Sequence, residues 1–417
     1  MMNRTAIKQS NYKWYALTLA ALTHTFVVAI PTMAMPVLFK EISIDLGLSL
    51  VQIGTIWGLG SLTGLIAGLL GGSMGDRFGA KRTLTVACLL CGLAGGLRGL
   101  AIDFNTLAVT MLLFGFMSTV VPMNVHKTCG IWFTGRNLGL ANGVVAGGMA
   151  LGFTVGSLIS ATVMSPWLGG WRNVLFCYGL IAMAMSIPWA FARPGPEDDQ
   201  TASYTGGHMS MRQGFGRVVR LKHVWLLGLG ILGVGGCVQG TLGYLPLYLR
   251  DIGWPVAQAD GALATFHAVS LVGVLPVAIL SDRLGTRKKI LMAAALSIAA
   301  GVGLLAGGQG PAVWVAVVIA GFFRDGFMAI FFTSVIEVPG VGAVVAGTAM
   351  GFTTIFLRFG NMAAPPIGNS LAALGSGAPF AFWATLAVLG LVCFSFVKEA
   401  SPQPATPVVE SKLTKIT

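Results

Sequence analysis

Apolar residues in this chain fall in long unbroken runs rather than in a two-residue alternation or a narrow helical stripe. Charge-free stretches cover 14–39, 46–75, 104–125, 137–171, 224–249 and 359–397. A helix needs about 20 apolar residues to cross a bilayer, so each run holds at least one span. The dyad alternation of membrane β-strands, which need only about 10 residues each, is missing. The pattern predicts twelve helices: 14–38, 50–74, 83–102, 105–128, 138–162, 171–193, 223–249, 260–281, 289–307, 312–336, 343–369 and 375–397. The run from 290 to 323 is divided at Gly307-Gly308-Gln309-Gly310-Pro311, a turn signal. The expected fold is therefore an all-α membrane protein with two sets of six spans.

The polar stretches set the organisation. Only one long hydrophilic segment lies inside the chain, with Pro194-Gly195-Pro196-Glu197-Asp198-Asp199 at its start and a basic stretch at 212–222. It divides an N-terminal half, 1–193, from a C-terminal half, 223–397, with 194–222 as linker and 398–417 as a polar tail. Val144-Val145-Ala146-Gly147-Gly148-Met149-Ala150-Leu151-Gly152-Phe153-Thr154 is echoed by Val344-Val345-Ala346-Gly347-Thr348-Ala349-Met350-Gly351-Phe352-Thr353, one residue shorter. These segments fall on the fifth and eleventh predicted spans, so the halves are parallel repeats. At the same offset Arg358 corresponds to Ile159, an asymmetry expected of a residue with a specific task.

Composition agrees and adds orientation. Charged residues are 10% of the chain and 55% of residues are hydrophobic, with mean hydropathy +0.80. The net charge of +12 would suit nucleic acid if it were clustered. Instead, with the N-terminus inside, 20 of the 26 Lys and Arg residues fall on the cytoplasmic side. The excess orients the protein in the inner membrane, both termini cytoplasmic, and excludes nucleic acid as the partner it implies. The first run is too long for a signal-peptide core. The six cysteines lie in or beside spans, and Cys88-x-x-Cys91 has apolar neighbours, which reads as packing and not as a metal site. No catalytic constellation, nucleotide-binding loop, cofactor motif or metal set is present, so the expected energy source is an ion gradient.

Two short hairpins carry the most specific signal. One is Gly72-Ser73-Met74-Gly75-Asp76-Arg77-Phe78-Gly79-Ala80-Lys81-Arg82, the other Ser281-Asp282-Arg283-Leu284-Gly285-Thr286-Arg287-Lys288-Lys289. The two aspartates are 206 positions apart, about half the chain. This duplicated Asp-Arg-x-Gly loop closely resembles the signature of the major facilitator superfamily. The resemblance covers 14–397 and implies transport by alternating access between two six-helix halves. It implies a gating role for Asp76, Arg77, Gly79, Asp282, Arg283 and Gly285; the alternative is a solvated hairpin that only fixes topology. The glycines of the fifth span, Gly139, Gly143, Gly147, Gly148, Gly152 and Gly156, would serve rocking of the halves or static close packing. In the family's antiporter pattern this span carries a Gly-Pro pair. Here Phe153 follows Gly152 and no proline occurs before Pro166, which disfavours drug/proton antiport.

Ionisable groups within spans point to the cargo, because each costs about 2.5–3.5 kcal/mol to insert. Arg324 and Asp325 lie mid-way along the tenth span and Arg358 mid-way along the eleventh. Neighbouring residues diverge by about 100° on a helix, so Arg324 and Asp325 are not expected to face one point. An Asp325–Arg358 pair would free Arg324 for an anion; the opposite facing would leave Asp325 for proton coupling; a closed cluster would merely hold helices together. His24 and His267 are near mid-span and suit proton relay, anion binding or a plain structural hydrogen bond. Asn124, Gln239, Tyr244 and Asn361 offer hydrogen bonds to a substrate. Arg98 is expected to snorkel from the outer end of the third span. Three arginines against Asp325 as the one deep acid favour a small organic anion, with proton coupling through Asp325 or a histidine. Efflux of amphipathic compounds and a non-transporting membrane sensor are the other readings; the retained hairpins and the lack of a sizeable soluble domain weigh against the sensor.

Overall fold

The computed structural model describes residues 4–133, 136–193, 211–284 and 286–398. Every predicted span has a helix. They are α1 (Arg4–Thr23, continued through a π turn at His24–Ala29 into Ile30–Leu46), α2 (Leu50–Phe78), α3 (Ala80–Leu97) and α4 (Phe104–Trp132). Next come α5 (Arg136–Ile159, through a π turn at Ser160–Met164 into Ser165–Leu168), α6 (Trp171–Ala184 and Ser186–Phe191), α7 (Lys222–Asp251) and α8 (Val256–Leu284). The last are α9 (Arg287–Leu305), α10 (Pro311–Phe322 and Arg324–Ile336), α11 (Gly342–Ser370) and α12 (Ala378–Ser395). Among the described residues ten of these are long and apolar enough to cross a membrane. The other two, α2 and α11, have 29 residues each, which is also spanning length. The short helix Met211–Val218 precedes α7; the linker residues 194–210 and the tail 399–417 lie outside the described residues.

Local chemistry explains the helix ends. Ser49 starts α2 through a capping box: its Oγ accepts from Gln52 N at 3.3 Å, and Gln52 Oε1 accepts from Ser49 N at 2.9 Å. Asp103 and Thr106 repeat the device at α4. Gly79 takes φ +79° between α2 and α3, a conformation a side chain would strain, so the first hairpin turns at its glycine.

Packing is built from backbone contacts at small residues. On α5, Gly148, Gly152 and Gly156 sit against Ala21, Thr25, Ala29 and Ile30 of α1. A methyl group on Gly152 would lie 2.6 Å from Ala29 Cβ. This part of the glycine stripe is close packing against α1, not a sliding surface against the other half as the rocking reading had it. The rest of the stripe, Gly139, Gly143 and Gly147, has nothing within 4 Å of an added Cβ, and neither do Gly347 and Gly351 on α11.

That contrast shows which end is closed. The first six spans meet the last six mainly through α2 on α11 and α5 on α8. The polar ties lie at the end opposite the Gly79 hairpin. Lys40 pairs with Asp251 at 2.5 Å, Trp57 Nε1 donates to Gln239 O at 2.7 Å, and Asn369 Nδ2 donates to Leu50 O at 2.8 Å. Thr162 Oγ1 donates to Asp260 Oδ2 at 2.8 Å. The hairpin end lacks such ties among the described residues, so the bundle is open there.

Closure depends on Gly58, where an added Cβ would stand 2.3 Å from the backbone oxygen of Met362. Backbone cannot yield as a flexible side chain can. We expect Gly58→Ala to hold α2 away from α11 and slow the transport that the hairpin resemblance implies about ten-fold or more. Ile53, now 1% exposed, is the reporter. In a cysteine-free background Ile53→Cys should label faster with an impermeant thiol reagent when Gly58→Ala is added. Equal labelling would exclude this role for the glycine.

Candidate functional site

The helix α10 breaks where the sequence placed its charges. Phe323 has φ −91° and ψ −9°, and the second segment restarts at Arg324. Across this break Arg324 Nη1 reaches Asp325 Oδ1 at 2.8 Å, so neighbouring residues form an ion pair. The expected divergence assumed an unbroken helix and a short reach; the interruption and the long arginine chain overcome it. The Asp325–Arg358 pair is not formed. Asp325 N donates to Ser270 Oγ of α8 at 3.2 Å, and the Arg324 guanidinium lies 5.8 Å from the Phe153 ring of α5.

Arg324 also lines a cavity of about 110 Å³ between α7, α9, α10 and α11. Gln239, Asn361, Phe327 and Met328 share its wall. The Asn361 amide, oriented to donate, reaches Gly235 O at 3.0 Å and Leu357 O at 3.2 Å. Three predicted residues, Arg324, Gln239 and Asn361, therefore meet around one space.

Arg358 is elsewhere, facing α2, with its Cζ 2.7 Å from the position of a Cβ on Gly64. Its Nε is buried without a partner, and among the described residues the guanidinium has no acceptor or counter-ion. His267 is 1% exposed, neither ring nitrogen has a partner, and its ring lies 5.2 Å from Phe153. Phe153 thus stands between Arg324 and His267, joining α5 to α8 and α10.

The structure does not bring the other predicted residues to this cavity. Asn124 is a clamp between α4 and α2, donating to Gly71 O at 3.1 Å and Val120 O at 2.9 Å. Tyr244 donates to Ser376 O at 3.3 Å within an aromatic cluster of Tyr248, Phe380 and Trp383. His24 sits on α1 beside His126 of α4. Arg98 does not snorkel: it is fully buried, donates to Gly95 O and Pro31 O, and covers the Phe114 ring at 3.9 Å.

Asp325 is not the deepest acid either. Asp260, at the start of α8, is 0% exposed and bonds Arg250 as well as Thr162. In the sequence it is the first residue of the eighth predicted span. Its signal was the apolar residues around it, Ala259, Ala262, Leu263 and Ala264, all buried.

At the hairpin, Asp76 pairs with Lys127 of α4 at 2.7 Å, and Lys127 also donates to Gly75 O at 2.7 Å. Arg77 is exposed beside Phe78. In the second hairpin Arg283 is exposed, while the Asp282 side chain and Gly285 lie outside the described residues. This ion pair ties the hairpin to α4. Asp76→Asn is expected to slow turnover about five-fold or more while expression and substrate binding stay near wild type. Wild-type turnover would remove Asp76 from gating.

The sequence model of the Major Facilitator Superfamily matches residues 17–346. This chain belongs to that superfamily. Among its curated relatives is the 3-(3-hydroxy-phenyl)propionate transporter of Escherichia coli (strain K12), 27% identical over 343 residues, 78% of this chain and 79% of that protein. The gallate transporter of Pseudomonas putida is 26% identical over 427 residues, covering 92% and 90%. Among solved structures, a bacterial homologue of the human lysosomal transporter Spinster, inward-facing and occupied, aligns with TM-score 0.73 at 15% identity over 93% of this chain and 96% of its own. The fold is the superfamily's helical membrane fold.

Proposed function

We propose that this protein is a secondary active transporter for a small organic anion of the aromatic carboxylate class, driven by the proton gradient. The halves 1–193 and 223–397 rock about a central site, with the hairpins, linker and both termini on the cytoplasmic side. The observation that carries the reading is Arg358, a guanidinium at the α2–α11 contact with a buried Nε and no counter-ion among the described residues. An unpaired cation held within a bilayer is costly and marks a ligand path. The cavity wall adds what an aromatic acid needs: Phe327 and Met328 for the ring, Gln239 and Asn361 for hydroxyl groups, and the Arg324 charge. Relatives that carry a hydroxyphenylpropionate and gallate support the same class. Efflux of amphipathic cations does not explain a free arginine.

Purified protein in proteoliposomes tests the proposal. Labelled 3-(3-hydroxyphenyl)propionate and gallate should accumulate when the outside is made acidic, and amphipathic cations should not. Transport of the cations alone would overturn the assignment.

A further inference from the structure

His24 begins the π turn of α1 and is 1% exposed. Its Nδ1 lies 3.4 Å from Val145 O of α5, a carbonyl that can only accept, so the proton belongs on Nδ1. Nε2 is then a basic lone pair, buried and without a partner. The His126 ring of α4 stands edge-on at 5.5 Å between centroids. Its Nδ1 is 3.0 Å from Asn142 Oδ1, an acceptor that likewise places the proton on Nδ1 and leaves Nε2 as a lone pair. His126 is exposed, next to the stretch of α5 where Gly139, Gly143 and Gly147 face open space.

Among the described residues no charged side chain bonds to either ring. α3 brings Cys91, whose thiol is directed to Val27 O at 3.6 Å, and α6 brings Trp189, bonded to Thr23 Oγ1 at 2.8 Å. α5 offers backbone and Thr25's partner Gly148 O. Lys127, next to His126 on α4, is engaged with Asp76 and Gly75. A π turn is uncommon and concentrates at functional positions. Asp325, the acid first considered for coupling, is tied to Arg324.

We propose that the His24–His126 pair is the coupling-proton site of the transport cycle. This rests on the proton-driven transport proposed above and names where the proton resides. Two imidazolium rings at this spacing repel, so the pair binds one proton rather than two. In the present state one member is buried and the other exposed. The proton therefore leaves through His126 towards the open, hairpin end, and the neutral pair is restored.

Two measurements decide it. In proteoliposomes loaded with 3-(3-hydroxyphenyl)propionate, His24→Gln and His126→Gln should lose pH-driven accumulation about ten-fold or more, while substrate counterflow, which needs no net proton movement, falls less than about three-fold. Accumulation at the wild-type level in both variants, or equal loss of accumulation and counterflow, overturns the proposal. So does loss of accumulation confined to Asp325→Asn. The second measurement needs no substrate. In ¹⁵N-histidine spectra of the wild type from about pH 5 to pH 8, one ring of the pair should gain a proton while the other stays neutral. Titration of both rings, or of neither, overturns it even where the chosen acids are not carried. A wild type that shows the one-proton titration but carries neither acid would count against the substrate class alone.

Discussion

Arg358→Gln should abolish accumulation of the anion and leave the protein as stable as before, or more so. The two effects follow from one fact: the guanidinium has no partner among the described residues. Placing an arginine mid-span costs about 2.5–3.5 kcal/mol, and nothing among the described residues offsets it. Removing the charge recovers part of that cost. Losing a charge-assisted contact to the substrate should weaken affinity about 100-fold, or about 2.7 kcal/mol. Lysine should rescue poorly, because a planar fork binds carboxylate through two parallel hydrogen bonds and an ammonium does not. Arg324 should behave in the opposite way. Its charge is matched by Asp325 at 2.8 Å, so Arg324→Gln leaves an acid unpaired and should lower stability. The Arg324→Gln/Asp325→Asn double variant should be more stable than either single one. Thermal unfolding in detergent, measured beside substrate binding, separates the two arginines. Loss of stability in Arg358→Gln without loss of affinity would make it a structural residue.

The contrast between these arginines marks how far the sequence could be read. Span positions were legible because an apolar run of bilayer length has few alternatives, and the duplicated hairpins named the superfamily through residues with fixed turn chemistry. Arg324, Gln239 and Asn361 stood out as candidates because polar groups in spans are rare and costly, and the fold sets them around one cavity. What a polar side chain touches was not legible. Asn124 looked like a ligand group and is a helix clamp, since its fate depends on whether Gly71 of α2 comes within reach. The Arg324–Asp325 pair depends on a helix break at Phe323, and the flanking Gly321 and Gly326 do not by themselves distinguish a break from close packing within a span. Nothing in the sequence joins His126 to His24, which lies about a hundred positions away and on another helix.

Asp260→Ala should prevent the closed end from closing. Here the buried pair with Arg250 is bridged to the other half by Thr162, and both charged side chains are nearly or fully out of solvent. Removing the acid leaves Arg250 uncompensated, a cost of about 3–5 kcal/mol for a buried pair. The cost falls on the closed form alone, because parting α5 from α8 admits water to Arg250. A shift of about 5.5 kcal/mol turns a 99:1 preference into 1:99, so a penalty of about 3–5 kcal/mol brings such a preference at least to near parity. Net transport should then fail with expression intact, and Ile53→Cys should become reactive from the side opposite the hairpins. Thr162→Val removes one neutral donor and should cost only about 1 kcal/mol, a modest rate effect. Arg250→Met/Asp260→Leu, which removes both charges and refills the space, should restore closure even though Thr162 has lost its acceptor. Slow labelling in Asp260→Ala, equal to that of the parent, would mean that the tie is incidental and that the α2–α11 contact at Gly58 and Met362 closes this end on its own.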